Sequence, residues 1–194
     1  MPQFSVRSAP PAPPLQVDHW LHTPDPIMLD QLRGKVVMLH AFQMLCPGCI
    51  AHGLPQAQRV HRAFRNDGVA VIGLHTVFEH HAVTGPDALR AFVHEYRWSF
   101  PIGIDRAVEG GSIPMTMRAY HLEGTPSVVL LDRLGRIRLQ HLGQIDDLIL
   151  GGLIGRLLSE ELPADEAAAG GGTAPGAGDG CGPDACVAPR PSDD

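Results

Sequence analysis

The chain has 194 residues, 44% of them apolar and 19% charged, with a formal net charge of -6 and a sequence pI near 6.0. That length and balance suit one globular domain with tails. They offer no basic stripe for nucleic acid and no run approaching the ~18 apolar residues of a membrane span.

Residues 1–14, MPQFSVRSAPPAPP, are rich in proline and small residues and predict a flexible extended arm. They lack the roughly 7–15-residue apolar stretch of a secretory leader, so the expected location is cytoplasmic. In a reducing compartment a Cys-x-x-Cys is catalytic or metal-binding rather than a permanent staple. A weak strand is expected at 15–21 and one helical turn at 27–33. Residues 35–42 (KVVMLHAF) form a short apolar, β-branched run and predict a buried strand. The motif Cys46-Pro47-Gly48-Cys49 follows at once. Residues 50–64 have helical apolar spacing, with a kink expected at Pro55.

A second buried strand is expected at 69–77 and a helix at 86–98, opened by Gly85-Pro86. A short strand at 100–104 and a helix at 114–122 come next. Residues 127–132 (SVVLLD) predict a third buried strand, which a tight turn at Arg133-Leu134-Gly135 pairs with 136–142 as a hairpin. A strongly apolar helix over 145–162 closes the ordered chain. The fold class is therefore α/β, a central mixed sheet flanked by helices over residues 15–162. Residues 163–194 are Gly-, Ala- and Pro-rich and predict a disordered tail, which carries a second cysteine pair in GCGPDAC, Cys181 and Cys186.

A Cys-x-x-Cys between a buried strand and a helix has a chemical rationale. The first cysteine stands at the helix N-terminus, where the macrodipole and free N–H groups favour thiolate, the attacking species. The second, one turn on, resolves the mixed disulfide. Cys46 is thus the expected nucleophile and Cys49 the resolving thiol. Pro47 presets the helix start, and Gly48 leaves little to crowd an incoming disulfide.

Two segments, KVVMLHAFQMLCPGC and GTPSVVLLDRLGRIR, resemble the thioredoxin-like superfamily, in particular the TlpA/ResA-type thiol–disulfide oxidoreductases, relatives of the AhpC/TSA-type redoxins. The resemblance runs from about residue 15 to residue 162. It implies a thioredoxin fold, thiol–disulfide exchange on protein disulfides fed by an upstream thiol donor, no cofactor, and a cis peptide at Thr125-Pro126 packed against the dithiol. Four positions depart from the pattern. Leu45 stands where tryptophan is usual before the first cysteine, and His40 where thioredoxins bury an aspartate. His52 stands where TlpA-type proteins often have glutamate, and the helix proline, Pro55, comes one residue late. His40 then becomes a candidate proton relay for Cys49. Its plainer reading is a core histidine bonded to a backbone carbonyl, and that of His52 an exposed helix residue.

Two other chemistries compete. A peroxiredoxin-like peroxidase needs a hydroxyl residue three before the attacking cysteine, where Gln43 stands; Arg118 is the candidate thiolate-stabilising cation. A non-catalytic metal protein would use Cys46 and Cys49 with histidines, since zinc takes four such ligands. His75, Glu79, His80 and His81 invite the same thought, but they meet no ligand spacing and are expected to form a polar rim at the end of the sheet. No metal site is expected. Cys181 and Cys186 stand as a possible secondary redox pair.

Overall fold

In the computed structural model, residues 9–161 are described. Six strands form one mixed sheet: β1 (Val17–Leu21), β2 (Val36–Phe42), β3 (Val69–His75), β4 (Ile102–Asp105), β5 (Ser127–Leu131) and β6 (Ile137–Leu142), in the spatial order β1-β4-β3-β2-β5-β6. β2, β3 and β4 run parallel, while β1, β5 and β6 pair antiparallel to their neighbours. All seven residues of β2 are buried, as its unbroken apolar run requires of a strand inside a two-faced sheet.

Helices α1 (Leu54–Phe64), α2 (Pro86–Tyr96) and α4 (Asp147–Ser159) cover one face. Leu54, Ala57, Leu89, Val93, Leu150 and Ile154 pack there against Val36, Met38 and Phe42 of β2. The other face is closed by the residues around α3 (Met115–Ala119), chiefly Tyr120, and by Leu15, Trp20, Leu29 and Leu32, packed on Val37, Leu39 and Ile72. Both parallel crossovers lie on the first face, as right-handed β-α-β connections feeding strands in one direction must.

Local chemistry sets the element ends. α4 starts where Asp146 accepts hydrogen bonds from Leu148 N and Ile149 N, capping donors that have no intrahelical partner. The β5–β6 turn is held by Asp132, whose Oδ1 accepts from Leu134 N and Arg136 N at 3.0 Å each, and Gly135 takes the left-handed φ of 70° the turn needs.

Two differences from the sequence expectation concern the borders of the domain and of its dithiol helix. The expected arm is docked from Ala9 onward: Pro11 bridges Arg136, Ile137 N donates to Pro10 O at 2.9 Å, and the Tyr120 hydroxyl donates to Pro13 O at 2.7 Å. Proline lacks the N–H of a regular strand, so this segment lies along the hairpin without a continuous ladder. The second difference lies at 50–64. Instead of one α-helix kinked at Pro55, a π-turn spans Cys49–Gly53, with Leu54 N donating to Cys49 O, and α1 proper begins after it. Pro55 offers no N–H to the turn before it, so a wider closure costs little there.

Candidate active site

β2 delivers its chain directly to the dithiol. Cys46 occupies the N-cap position of a helical turn that starts at Pro47: its carbonyl accepts from Ile50 N at 3.1 Å, and its sulfur accepts from Cys49 N at 3.2 Å. A sulfur as cap acceptor stands where free N–H groups and the helix dipole favour negative charge. The Cys46 and Cys49 sulfurs lie 2.6 Å apart. Cys46 is partly exposed, between exposed Leu45 and Pro47, whereas Cys49 is fully buried. Burial first, and the Cys46 side chain second, push the Cys49 thiol well above its ordinary range; hydrogen bonds from the Gln43 main chain and the Thr125 side chain act the other way.

The second wall is the turn before β5. The Thr125–Pro126 peptide bond is cis, and the Thr125 carbonyl accepts from Cys46 Sγ at 3.5 Å. Pro126 lies against both glycines of the dithiol turn. A Cβ on Gly48 would stand 3.3 Å from Pro126 Cδ, and one on Gly53 would stand 3.1 Å from Pro126 Cβ. Cys46, Pro47, Gly48, Cys49, Thr125 and Pro126 are therefore one cluster.

His40 is the third element, wholly buried behind this turn. Neither ring nitrogen has a hydrogen-bond partner, so the carbonyl bond of a plain core histidine is absent. Burial lowers its pKa from 6.5 to about 4, and the ring is neutral at neutral pH. It borders a polar cavity of about 320 Å³ shared with Gly53, Gln56, Gln144 and Asp147, and His52 stands exposed at its rim. The cavity is roomy enough for water to satisfy the imidazole. Its outer wall is tied by Gln56 Nε2 to Ile145 O and to Asp147 Oδ1, each at 2.7 Å, and by the Arg59–Asp147 pair.

Two braces were not evident in the sequence. Gln43, buried, accepts from Phe78 N and donates to Glu79 Oε1, each at 3.2 Å, while its carbonyl receives Cys46 N at 3.3 Å. It joins the dithiol segment to the loop after β3, and its amide is spent on that brace in the place where a peroxidatic site needs a hydroxyl. Asp105 accepts from Thr116 N, Met117 N and the Thr76 hydroxyl, which anchors α3 to the ends of β3 and β4. Gly53 carried the one usable sequence signal, an isolated glycine in a helical stretch, which marks a close approach.

The other candidates separate. His75 is not on a polar rim but buried beside Phe42, with ring centroids 5.3 Å apart and both nitrogens unpartnered. Glu79 is held by Gln43, and His80 and His81 stand exposed in the loop beyond. Arg118 is exposed on α3 with its guanidinium beside Gly111. Among the described residues, no three His, Cys, Asp or Glu side chains are grouped to hold a metal ion. Cys181 and Cys186 lie outside the described residues.

A thioredoxin fold with two cysteines in contact at the head of a helix, one open and one buried, defines the class: a thioredoxin-like thiol–disulfide oxidoreductase. Within it, the AhpC/TSA family model matches residues 10–140, more than half the chain, and the chain belongs to that family. Among solved structures, it resembles the thioredoxin-like superfamily protein SPOA0173, at 50% identity and a TM-score of 0.77 over 80% of this chain and 100% of that one. A thiol-disulfide isomerase from Corynebacterium glutamicum matches with the same coverage at 51% identity and a TM-score of 0.76. Protein DipZ of Mycobacterium tuberculosis is 30% identical over 155 residues, which is 78% of this chain and 21% of that protein. The chain thus spans about a fifth of the length of the curated relatives it matches.

Proposed function

We propose that the protein reduces disulfides in other proteins through the Cys46-Pro47-Gly48-Cys49 dithiol. The observation that carries this reading is the asymmetry of the pair: the sulfurs are 2.6 Å apart, yet only Cys46 is open to a partner and only Cys46 caps the helix. The Cys46 thiolate attacks a substrate disulfide, a mixed disulfide forms, and one substrate sulfur leaves. Cys49 then loses its proton and attacks Cys46 Sγ. The second substrate sulfur is released, and the Cys46–Cys49 disulfide remains for an upstream thiol donor to reduce. Thr125 and Pro126 form the wall against which the substrate chain lies, with Pro47 and Gly48 opposite. The proton that Cys49 loses is assigned to water: a His40 ring held near 4 is too weak a base to take it from the thiol, and the role proposed for His40 is to orient water in the cavity it lines. The reducing direction goes with a reducing compartment and is part of the proposal.

Insulin-disulfide reduction by the full chain, with dithiothreitol as electron source, tests the reading. Activity is expected in the wild type and its loss in Cys46→Ser. Cys49→Ser should instead accumulate mixed disulfide on Cys46. A Cys46→Ser protein that still turns over would overturn the assignment.

A further inference from the structure

Gln43 follows β2 directly and is bonded in two directions. Inward, its carbonyl receives Cys46 N at 3.3 Å, which closes the turn Gln43-Met44-Leu45-Cys46. Outward, its side-chain oxygen accepts from Phe78 N and its Nε2 donates to Glu79 Oε1, each at 3.2 Å. Gln43 is buried, and both ends of its amide are satisfied, as burial demands. One residue earlier, Phe42 O accepts from Thr76 N at 3.0 Å. The loop after β3 is thus held to the chain before the dithiol at two consecutive residues. Glu79, the outer member of this set, is exposed.

The turn that Gln43 anchors places the Cys46 sulfur. That sulfur meets Cys49 N at 3.2 Å, the Thr125 carbonyl at 3.5 Å and the Cys49 sulfur at 2.6 Å. The Gln43 main chain also acts on Cys49 itself, keeping that thiol lower than burial alone would set it. The two chemical steps at the dithiol make different demands on this placement. Attack on an incoming disulfide joins an exposed sulfur to a partner that is free to move, so the partner absorbs a small shift of the turn. Resolution joins two sulfurs that are both fixed to the domain. Neither can adjust for the other, and a misplacement of about 1 Å in such a pair costs about a hundredfold in rate.

We propose that Gln43 is a positioning residue for the resolving step: pinned to Phe78 and Glu79, it holds the turn that keeps the Cys46 sulfur aligned with Cys49, and Glu79 is its outer anchor. The proposal rests on the reading of Cys46 as nucleophile and Cys49 as resolving thiol. Gln43 makes and breaks no bond itself. In the step it serves, Cys49 gives its proton to water and bonds to Cys46 Sγ. The bond from Cys46 to the substrate sulfur breaks, and that sulfur leaves as thiolate.

The test mixes the reduced full-length protein with an aromatic disulfide, dithiobis(nitrobenzoate), quenches with acid at timed points and maps the peptides by mass spectrometry. The rise of the Cys46 adduct reads attack, and its decay to the Cys46–Cys49 disulfide reads resolution. Glu79→Gln keeps an acceptor oxygen for Gln43 Nε2 and should decay as the wild type does. Glu79→Ala, at an exposed position, removes the acceptor and should slow the decay at least about threefold. Gln43→Met, which removes both side-chain bonds at similar volume, should slow it about tenfold. Adduct formation should stay as in the wild type in all three. Gln43→Glu sets two carboxylates face to face and should slow the decay as well, whereas Gln43→Glu/Glu79→Gln rebuilds the bond with donor and acceptor exchanged and should recover it. Unchanged decay in Glu79→Ala or in Gln43→Met would overturn the positioning role and leave the oxidoreductase reading standing. So would equal slowing of attack and resolution with no recovery in the exchanged pair. A wild type whose Cys46 forms no adduct would overturn both.

Discussion

Gly53 and His40 are built around each other: a methyl group on Gly53 would lie 2.6 Å from both Cε1 and Nε2 of the His40 ring. Gly53 has an ordinary helical φ of -64°, so glycine is needed there for space and not for backbone freedom. Alanine at such a position gains about 1 kcal/mol of helix propensity but loses about 1–3 kcal/mol to overpacking against a fully buried ring. Gly53→Ala is expected to lower stability by up to about 2 kcal/mol in urea titrations. The same change should be neutral or stabilising in a His40→Ala background. Equal costs in both backgrounds would show that the two residues are not coupled.

The buried histidines give a pH dependence of definite sign. Burial lowers His40 and His75 from 6.5 to about 4 in the folded protein, while the unfolded chain keeps 6.5. Between these values the unfolded state binds protons the native state refuses. Stability is therefore complete above pH 6.5 and falls as pH drops towards 4, by about 2 kcal/mol per ring at pH 5. The difference in unfolding free energy between pH 7 and pH 5 should be larger in the wild type than in His40→Leu/His75→Leu. An equal difference in the two proteins would place the acid sensitivity elsewhere.

Thiol reactivity should be as unequal as burial is. In the reduced protein at pH 7.5, iodoacetamide is expected to label Cys46 at least about tenfold faster than Cys49, because only the thiolate reacts and Cys49 is both inaccessible and held protonated. Peptide mapping after timed quenching reads this directly. Comparable labelling of both sulfurs would remove the basis for assigning their roles.

An ionic cluster just past the end of α4 ties that helix to β6. Arg138 is buried against Asp132, itself buried, and against Glu160. Removing the cation leaves Asp132 with Arg136 and its main-chain donors but takes the buried guanidinium from both carboxylates, a loss below the roughly 3–5 kcal/mol of a fully unpaired buried charge. Arg138→Ala should unfold at a much lower urea concentration than the wild type. Arg138→Met, which keeps an apolar stem of similar length, should lose less than Arg138→Ala; equal losses would show that the ion pairs and not the packed stem carry the cost.

The sheet and the dithiol could be read from the sequence because each is written locally. Residues 35–42 are apolar without interruption, and a strand buried on both faces needs nothing else. Cys46 and Cys49 are one turn apart in one helix start, and Thr125-Pro126 is a dipeptide. What escaped depends on contacts between separate elements. Gln43 is an amide in a loop until Phe78 and Glu79 come beside it. His75 looks like one more polar residue at a strand end, and only the β2–β3 register, which sets it beside Phe42, buries it. The Gly53–His40 contact links a helix to a strand thirteen residues earlier. It also depends on the turn between Cys49 and Gly53 being wide, which no periodicity over so few residues reveals. Arg138 and Glu160 belong to different elements, and their pairing follows from the length of α4.

That wide turn also governs which length changes the chain can accept. Elsewhere in a helix, one residue more or less rotates everything beyond it by about 100° and turns a buried face to water. A π-turn holds one residue more than an α-turn of equal closure, so the dithiol helix carries that residue as slack between Cys49 and Pro55. Deleting one residue there lets the turn tighten to α geometry while Leu54, Ala57 and Val60 keep their places against the sheet. The segment is therefore a point where sequence length can vary inside an otherwise rigid core, and what would change with it is the side chain facing His40.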